Sequence, residues 1–448
     1  MLRMTLEAGR ALRAQVSRSS HAEWQPAANR RDPIEMLEDS GQGRMQDLLP
    51  LRYGRMARSP FAFFRGAAQI MAYDLQHTPD TGIRVQACGD CHLSNFGGFA
   101  TPERRLVFDL NDFDETLPAA WEWDVKRLAA SFVMAARANG SGRKQADAAQ
   151  AAVASYRENM RNFVPLSPLE CWYESVDVQS ILAEMQDSDW RKQVSKEVQK
   201  HLKRTVADHY FPKLTHEQNG KIQIRDNPPV IYHLPEHTSA EALADRLPVM
   251  LENYRASMPE ERRDLLNRYR FVDCAVKVVG VGSVGTRCLI VLMMSGDRHP
   301  LFLQIKQANQ SVLEPYFGST HSHHGERVVV GQRRTQAASD LFLGWTQDRV
   351  GRHYYVRQLR DVKISADISL MTARRLKRYA ELCGRVLARA HARLGAAPMI
   401  AGYLGRGESF DVAVAQFALR YADQTEADHS ALLRAIQEER LPVFWEED

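Results

Sequence analysis

Apolar residues change their spacing several times along this chain, and each change predicts a different element. Residues 1 to about 50 are polar and arginine-rich, are broken by Pro26 and Pro33, and predict a partly flexible lead-in with one short helix. From Met56 the spacing turns helical behind a Ser59-Pro60 start, a hydroxyl for the N-cap and a proline for the first turn, and runs to Leu75. Two short strand-like runs follow, Ile83 to Ala87 and Leu106 to Leu110. A helix beginning at Trp123 ends near Asn139-Gly140. A mostly helical region then reaches Arg270, interrupted at Pro165 to Pro168 and at Asn227-Pro228-Pro229. Beyond it the period shortens: Phe271 to Val281, Arg287 to Met294, Leu301 to Lys306 and Tyr354 to Leu359 are rich in Val, Ile, Leu and Tyr and predict an antiparallel sheet. Glu326 to Ala338 predicts a helix despite Gly331. From Met371 to Glu439 the helical period returns, with Leu382, Val386, Leu387, Ala390 and Leu394 on one face.

Composition narrows the class without naming it. The chain has 448 residues, long enough for two or three domains or one bilobal enzyme, and its 44% hydrophobic and 25% charged content is that of a globular protein. With 59 basic against 55 acidic residues, the net charge of +4 is too small an excess to argue for nucleic acid as a partner. The longest apolar run, Cys288 to Met294, falls far short of the roughly 20 residues of a membrane span. Arg3, Arg10 and Arg13 in the first helical stretch argue against a secretory signal, and six scattered cysteines fit a reducing compartment. The expectation is a cytoplasmic protein with neither nucleic acid nor membrane as partner.

Two stretches nearly two hundred residues apart carry the candidate chemistry. Phosphoryl transfer needs a carboxylate to position or deprotonate the acceptor hydroxyl, and oxygen ligands to hold Mg²⁺ against nucleotide phosphates. In Cys88-Gly89-Asp90-Cys91-His92-Leu93-Ser94-Asn95, Asp90 suits the base and Asn95 a metal ligand. Asp109, Asp112 and Asp114 follow, carboxylates that repel one another unless a cation binds; the bland reading of this turn is Asx caps and hairpin chemistry. Gly280-Val281-Gly282-Ser283-Val284-Gly285 lies between two strand-like runs, which favours a flap over phosphates rather than a dinucleotide-binding turn, with an ordinary hairpin as the plain alternative. Lys306 lies on the next strand, on the face it shares with Gln304. Its partner is expected to be Glu314 or Glu326, and the backbone from Gln358 to Arg360 is expected to meet adenine. The expected ligands are therefore ATP and Mg²⁺. Gly280, Gly282, Ser283, Gly285, Lys306, Glu314 and Gln358 are on the nucleotide side, and Asn95, Asp112, Asp109 and Asp114 are candidates for the metal. Cys88 to His92 also matches the C-x-x-C-H haem pattern, against which stand the missing export signal and the aspartates that follow. His321, His323 and His324 are the only other cluster a zinc site would draw on, and read better as a mobile polar loop.

From about Arg58 to Asp428 the chain resembles the bacterial family called domain of unknown function 2252. The resemblance is carried by Ser59-Pro60-Phe61 to Gly66, Gly89-Asp90 to Asn95, Asn111-Asp112-Phe113-Asp114-Glu115, Val279 to Gly285, Leu303-Gln304-Ile305-Lys306 and Leu387-Ala388-Arg389-Ala390-His391-Ala392. That family looks related to the protein-kinase-like and aminoglycoside-phosphotransferase-like fold, in which a helix like Leu382 to Leu394 precedes the catalytic loop. Here the helix is near the C-terminus and the loop near the N-terminus, so the resemblance implies an α+β, bilobal, circularly permuted fold. The implied parts are a lead-in at 1–55, a large helical lobe from 56–265 and 363–448, and a small antiparallel-sheet lobe at 266–362. By similarity Asp90 is the catalytic base, Asn95 a metal ligand, Asp112 the first choice for the main metal ligand and Asp124 a structural acid; Cys88 stands where relatives of the fold often have His. The implied reaction moves the ATP γ-phosphate to a hydroxyl of a small-molecule or protein acceptor. The rival readings are a catalytically silent nucleotide-binding module and a nucleotidyl transferase on the same fold.

Overall fold

Alternating side chains in the 269–307 region build one broad sheet, and that sheet positions half of the site. The computed structural model describes residues 5–202, 206–218, 220–233, 241–359 and 363–446. Among these the strands are β1 (Arg84–Ala87), β2 (Phe96–Ala100), β3 (Leu106–Leu110), β4 (Leu117–Ala120), β5 (Thr215–Gln218), β6 (Lys221–Ile224) and β7 (Ile231–Tyr232). They continue with β8 (Tyr269–Lys277), β9 (Cys288–Ser295), β10 (Pro300–Gln307), β11 (Gly344–Gln347), β12 (His353–Gln358) and β13 (Lys363–Ser365). Six of them pair antiparallel in the order β11-β12-β10-β9-β8-β7, with Lys306 opposite Cys288 on one side and Tyr355 on the other.

Leu303, Ile305, Val291 and Val356 pack one face of this sheet against Met250, Tyr254 and Leu266. Phe302, Ile290 and Leu292 pack the other face against Tyr210, Leu214 and Ile224. Each such aliphatic side chain contributes about 1.5–3 kcal/mol when fully buried. A one-residue slip of β10 would exchange Leu303 and Ile305 for Gln304 and Lys306 in the first core, so the packing fixes the register that aims Gln304 and Lys306 away from it.

The helical part surrounds the first chain segment. The helices that hold the site are α1 (Trp121–Ala138), α2 (Asp147–Phe163), α3 (His324–Thr335), α4 (Ala373–Ala392) and α5 (Ser409–Gln437). α1 is buried nearly all round, and its polar residues Glu122, Asp124, Lys126, Arg127 and Ser131 are buried with it. α4 lies against α2, and a Cβ at Gly384 would stand 2.1 Å from the Ala152 carbonyl oxygen, so glycine there permits the approach. Gly331 has the same role in α3, where a Cβ would stand 2.3 Å from Thr116, so the glycine that interrupts the helical pattern permits a close approach.

Several expectations need correction. The N-terminal segment is folded against the body. Arg30 donates to both Asp74 oxygens (2.7 and 2.8 Å) and both Asp428 oxygens (2.9 and 2.7 Å), and Trp24 meets Tyr421 edge-on at 5.0 Å. The expected helix to Leu75 is two, Pro60–Gly66 and Ala68–Leu75, because Ala67 leaves the helical region at φ −114°, ψ 36°. The region read as helical to Arg270 includes the β5–β6 hairpin and β7. β2, β4, β11 and β13 are short and lack an alternating run, which is why periodicity passed over them. No helix of the described residues is long and apolar enough to cross a membrane.

Candidate active site

The loop after β1 is held from three sides. Gly89 adopts φ +81°, and a Cβ there would stand 2.4 Å from the Glu115 carbonyl oxygen, so the close turn requires glycine. Asp124, in the first turn of α1, accepts the N–H groups of Cys88 (2.8 Å) and Gly89 (3.0 Å), and His391 of α4 lies 3.2 Å from the same carboxylate. The Leu93 N–H donates to Ser131 Oγ (3.0 Å), and the Tyr379 hydroxyl donates to the Leu93 carbonyl (2.9 Å). Asn95 Nδ2 donates to the Asp90 carbonyl at 2.8 Å, so the amide is held by its nitrogen end. His92 Nδ1 accepts the Ser94 N–H (3.2 Å); burial, with Arg127 and Arg65 nearby, pushes this imidazole well below its ordinary pKa, so it is neutral.

Asp90 itself is paired. Arg127 Nε donates to Asp90 Oδ1 at 2.6 Å, and the guanidinium is fixed in turn by the Phe64 carbonyl (3.1 Å) and by lying over the Phe64 ring at 4.4 Å. Burial raises the Asp90 pKa while Arg127 opposes the rise. Beneath the loop, Cys88 and Cys91 are 2% and 0% exposed, so the C-x-x-C-H string presents no open face to a haem. Their sulfurs and an Asp124 oxygen lie within 4.8 Å of one another, and His321, His323 and His324 are outside this cluster. His323 instead accepts the Glu326 N–H (3.1 Å) to cap α3 and stacks on His353 with ring centroids 4.0 Å apart.

The acids of β3 and of the turn after it divide into two roles. Asp109 is structural: it accepts from Arg389 Nη2 at 2.7 and 2.9 Å, from the Ala337 N–H at 2.8 Å and from the Leu110 N–H at 2.8 Å. Its oxygens are committed, and it does not line the cavity, which removes it as a metal candidate. Asp114 receives the Tyr355 hydroxyl (2.8 Å), the Ser283 hydroxyl (3.1 Å) and the Lys306 ammonium. Although burial works against both charges, the contact holds the Asp114 carboxyl below and the Lys306 ammonium above the usual range. Asp112 accepts the Asp114 N–H at 3.3 Å; burial and then the Asp114 charge raise its pKa.

On the sheet side, the Gly280–Gly285 segment is a turn between β8 and β9. The Ser283 N–H closes on the Gly280 carbonyl (2.8 Å), and Gly285 has φ +83°. The N-terminal segment fastens it: the Met45 N–H donates to the Gly285 carbonyl (2.7 Å) and Arg44 Nη1 to the Val284 carbonyl (2.6 Å). Asp90, Asn95, Asp112, Asp114, Gly280, Gly282, Ser283, Lys306 and Gln358 all line one cavity of about 1360 Å³ between the sheet and the helices. Gly285 and Glu314 do not. Glu314 is buried near Arg327 (3.5 Å) and accepts the Ser311 N–H (3.0 Å), and Glu326 sits at the start of α3; the acid that meets Lys306 is Asp114. The Gln358 N–H is bonded to Asp340, so that donor is already used. Arg360 lies outside the described residues.

A family described as an uncharacterized protein conserved in bacteria, DUF2252, matches residues 44–435. The chain belongs to this family. No curated protein and no solved structure matched it. The matched span of this DUF2252 chain includes every cavity residue named above, from Arg44 and Asp90 to Gln358.

Several residues that shape this DUF2252 site were not singled out in the sequence. Arg127 follows Asp124 by three positions, hence on the same face of α1, and that spacing was the available signal. Tyr355 and Arg357 alternate along β12 on the face of Lys306, where Arg357 donates to Gln304 Oε1 (2.9 Å). Glu115 gives a pH test. Burial lifts its carboxyl to about 7, against the pull of Arg327, while Oε2 accepts the Val312 N–H at 2.8 Å. The folded protein keeps a proton that an unfolded glutamate releases, so this stabilising share is complete below the ordinary glutamate pKa and lost as pH rises through about 7. Glu115→Gln is expected to flatten the fall in unfolding free energy between pH 5 and 8, measured by chemical denaturation of both proteins; equal slopes would remove Glu115 as the source.

Proposed function

We propose that this chain is an ATP- and Mg²⁺-dependent phosphotransferase on a circularly permuted, bilobal kinase-like fold, moving the γ-phosphate to a hydroxyl of a small-molecule or protein acceptor. One observation carries the reading. Lys306 of the sheet meets Asp114, 192 positions earlier in the chain, at the cavity that Asp90, Asn95, Asp112 and the 280–285 turn also line. The permutation is supported by α4, whose Tyr379, Arg389 and His391 hold Leu93, Asp109 and Asp124. An unpermuted chain would run from such a helix directly into the Asp90 loop. In this reading residues 266–362 are the small lobe, and 56–265 with 363–448 the large one.

The donor set fits the expected group. Asn95 Oδ1 and the carboxylates of Asp112 and Asp114 are hard oxygen ligands of the kind Mg²⁺ takes, and the buried, mutually repelling Asp112 and Asp114 gain from a cation between them. When bound, MgATP supplies an electrophilic phosphorus with a neutralised leaving group. Asn95, Asp112 and Asp114 would hold the metal. Lys306, Ser283 and the amides of the 280–285 turn would hold phosphate oxygens. Asp90, kept in place by Arg127 and the Asn95 bond to its carbonyl, orients the acceptor hydroxyl and takes its proton. The test is incubation of the protein with pooled hydroxyl compounds and ATP labelled at the γ or the α position. Label passing from the γ position supports the reading; label passing from the α position replaces it with nucleotidyl transfer.

A further inference from the structure

Three arginines that line the cavity lack counter-ions among the described residues. Arg44, Arg52 and Arg65 all line the cavity, and none has a carboxylate at ion-pair distance among the described residues. Their neighbours differ: Arg55 is paired with Glu446 and Arg127 with Asp90. Arg52 is 1% exposed. Its Nη1 and Nη2 reach only the carbonyls of Leu37 (3.4 Å) and Gly66 (3.2 Å), and its Nε has no partner. Arg44 donates to the carbonyls of Ser40 (2.8 Å) and Val284 (2.6 Å), and Arg65 Nε is buried without a partner.

An unpaired buried charge is costly, and a cavity lined by buried Arg52 and by half-buried Arg44 and Arg65 gains from an anion that completes them. Burial lowers the pKa of all three, that of Arg52 to about 9, with Arg44 adding to the effect. The three meet both halves of the site, and Arg52 is tied to Arg65 through its bond to the adjacent Gly66 carbonyl. The Arg65 carbonyl lies 3.2 Å from where a Cβ of Gly282 would be, Arg44 is bonded to the 280–285 turn, and the charges that act most on Arg65 are those of Asp90 and Asp112. Three guanidinium groups exceed what one carboxylate can balance and suit a tetrahedral dianion.

We propose that Arg44, Arg52 and Arg65 form a phosphate subsite beside Asp90 for a phosphate carried by the acceptor, so that the acceptor is a phosphorylated alcohol. The assignment of this phosphate to the acceptor rests on the phosphotransferase reading. The oxyanion site does not.

The probe is inorganic phosphate, titrated into the full chain with and without a saturating non-hydrolysable ATP analogue and Mg²⁺, and followed by calorimetry and melting temperature. Phosphate is expected to bind in both conditions, acetate in neither. Arg52→Met and Arg65→Met are each expected to weaken phosphate binding by at least about tenfold, the usual worth of one charge-assisted hydrogen bond. In phosphate-free buffer Arg52→Met is expected to melt above the parent, because an uncompensated buried charge has been removed. Should Arg52→Met fail to fold, Arg65→Met carries the affinity test alone. If the analogue excludes phosphate, the arginines serve the nucleotide and the acceptor assignment falls. If phosphate affinity is unchanged in Arg65→Met, the subsite itself falls. If the analogue does not bind while phosphate still binds through the arginines, the oxyanion site stands and the phosphotransferase reading fails.

Discussion

Asp90→Asn is expected to lower phosphoryl transfer by about 10²–10⁴-fold, the usual worth of a general base, while leaving nucleotide binding within a few-fold of the parent. The amide has the carboxylate's shape and keeps one oxygen to accept from Arg127 Nε, now 2.6 Å away, so the loop should hold its place. What the variant loses is the basic oxygen. Its backbone bonds do not depend on that side chain: Asn95 bonds to the Asp90 carbonyl, and Asp124 holds Cys88 and Gly89. Initial rates with γ-labelled ATP, beside a binding titration, separate the two effects. A variant that keeps its rate would show that Asp90 is only the partner of Arg127.

Asp109→Ala is expected to fail in the opposite way, by instability. Asp109 and Arg389 are each 1% exposed and bonded through both carboxylate oxygens, and removing one partner of a buried pair costs about 3–5 kcal/mol. Two backbone donors, at Ala337 and Leu110, lose their acceptor as well. Urea unfolding of Asp109→Ala beside Asp112→Ala makes the contrast. The Asp112 variant should retain stability, since a raised carboxyl pKa marks a charge the fold does not favour, and should lose Mg²⁺-dependent nucleotide affinity. If Asp109→Ala kept full stability and lost the metal response, the two aspartates would have to exchange roles.

These two aspartates also mark how far the sequence could be read. Three acids within six positions announced a crowded turn, but which of them faces a cavity depends on what α4 brings to the other side. Arg389 is nearly three hundred residues from Asp109, and no spacing rule connects them. The same holds for Lys306, whose strand was legible from Leu303 and Ile305, while its acid proved to be Asp114 rather than the nearer Glu314 or Glu326. Longer elements such as α1, α4 and β8 to β10 showed through because many residues repeat the signal. The N-terminal segment did not. Its fixity comes from single side chains, Arg30 to Asp74 and Asp428, and Arg44 to the 280–285 turn, and polar residues that anchor a segment read in sequence like residues that leave it free. For the same reason, the unpaired state of Arg52 appears only once its surroundings are known.

The central claim is that two distant chain segments build one nucleotide site, and titration of MgATP into the protein, Lys306→Ala and Asp112→Ala tests it most directly. The expected result is saturable binding by the parent that falls at least about tenfold in each variant, because each substitution removes one charge-assisted interaction with the nucleotide or its metal. Absence of binding by the parent at millimolar ATP, or equal affinities in all three proteins, would contradict it.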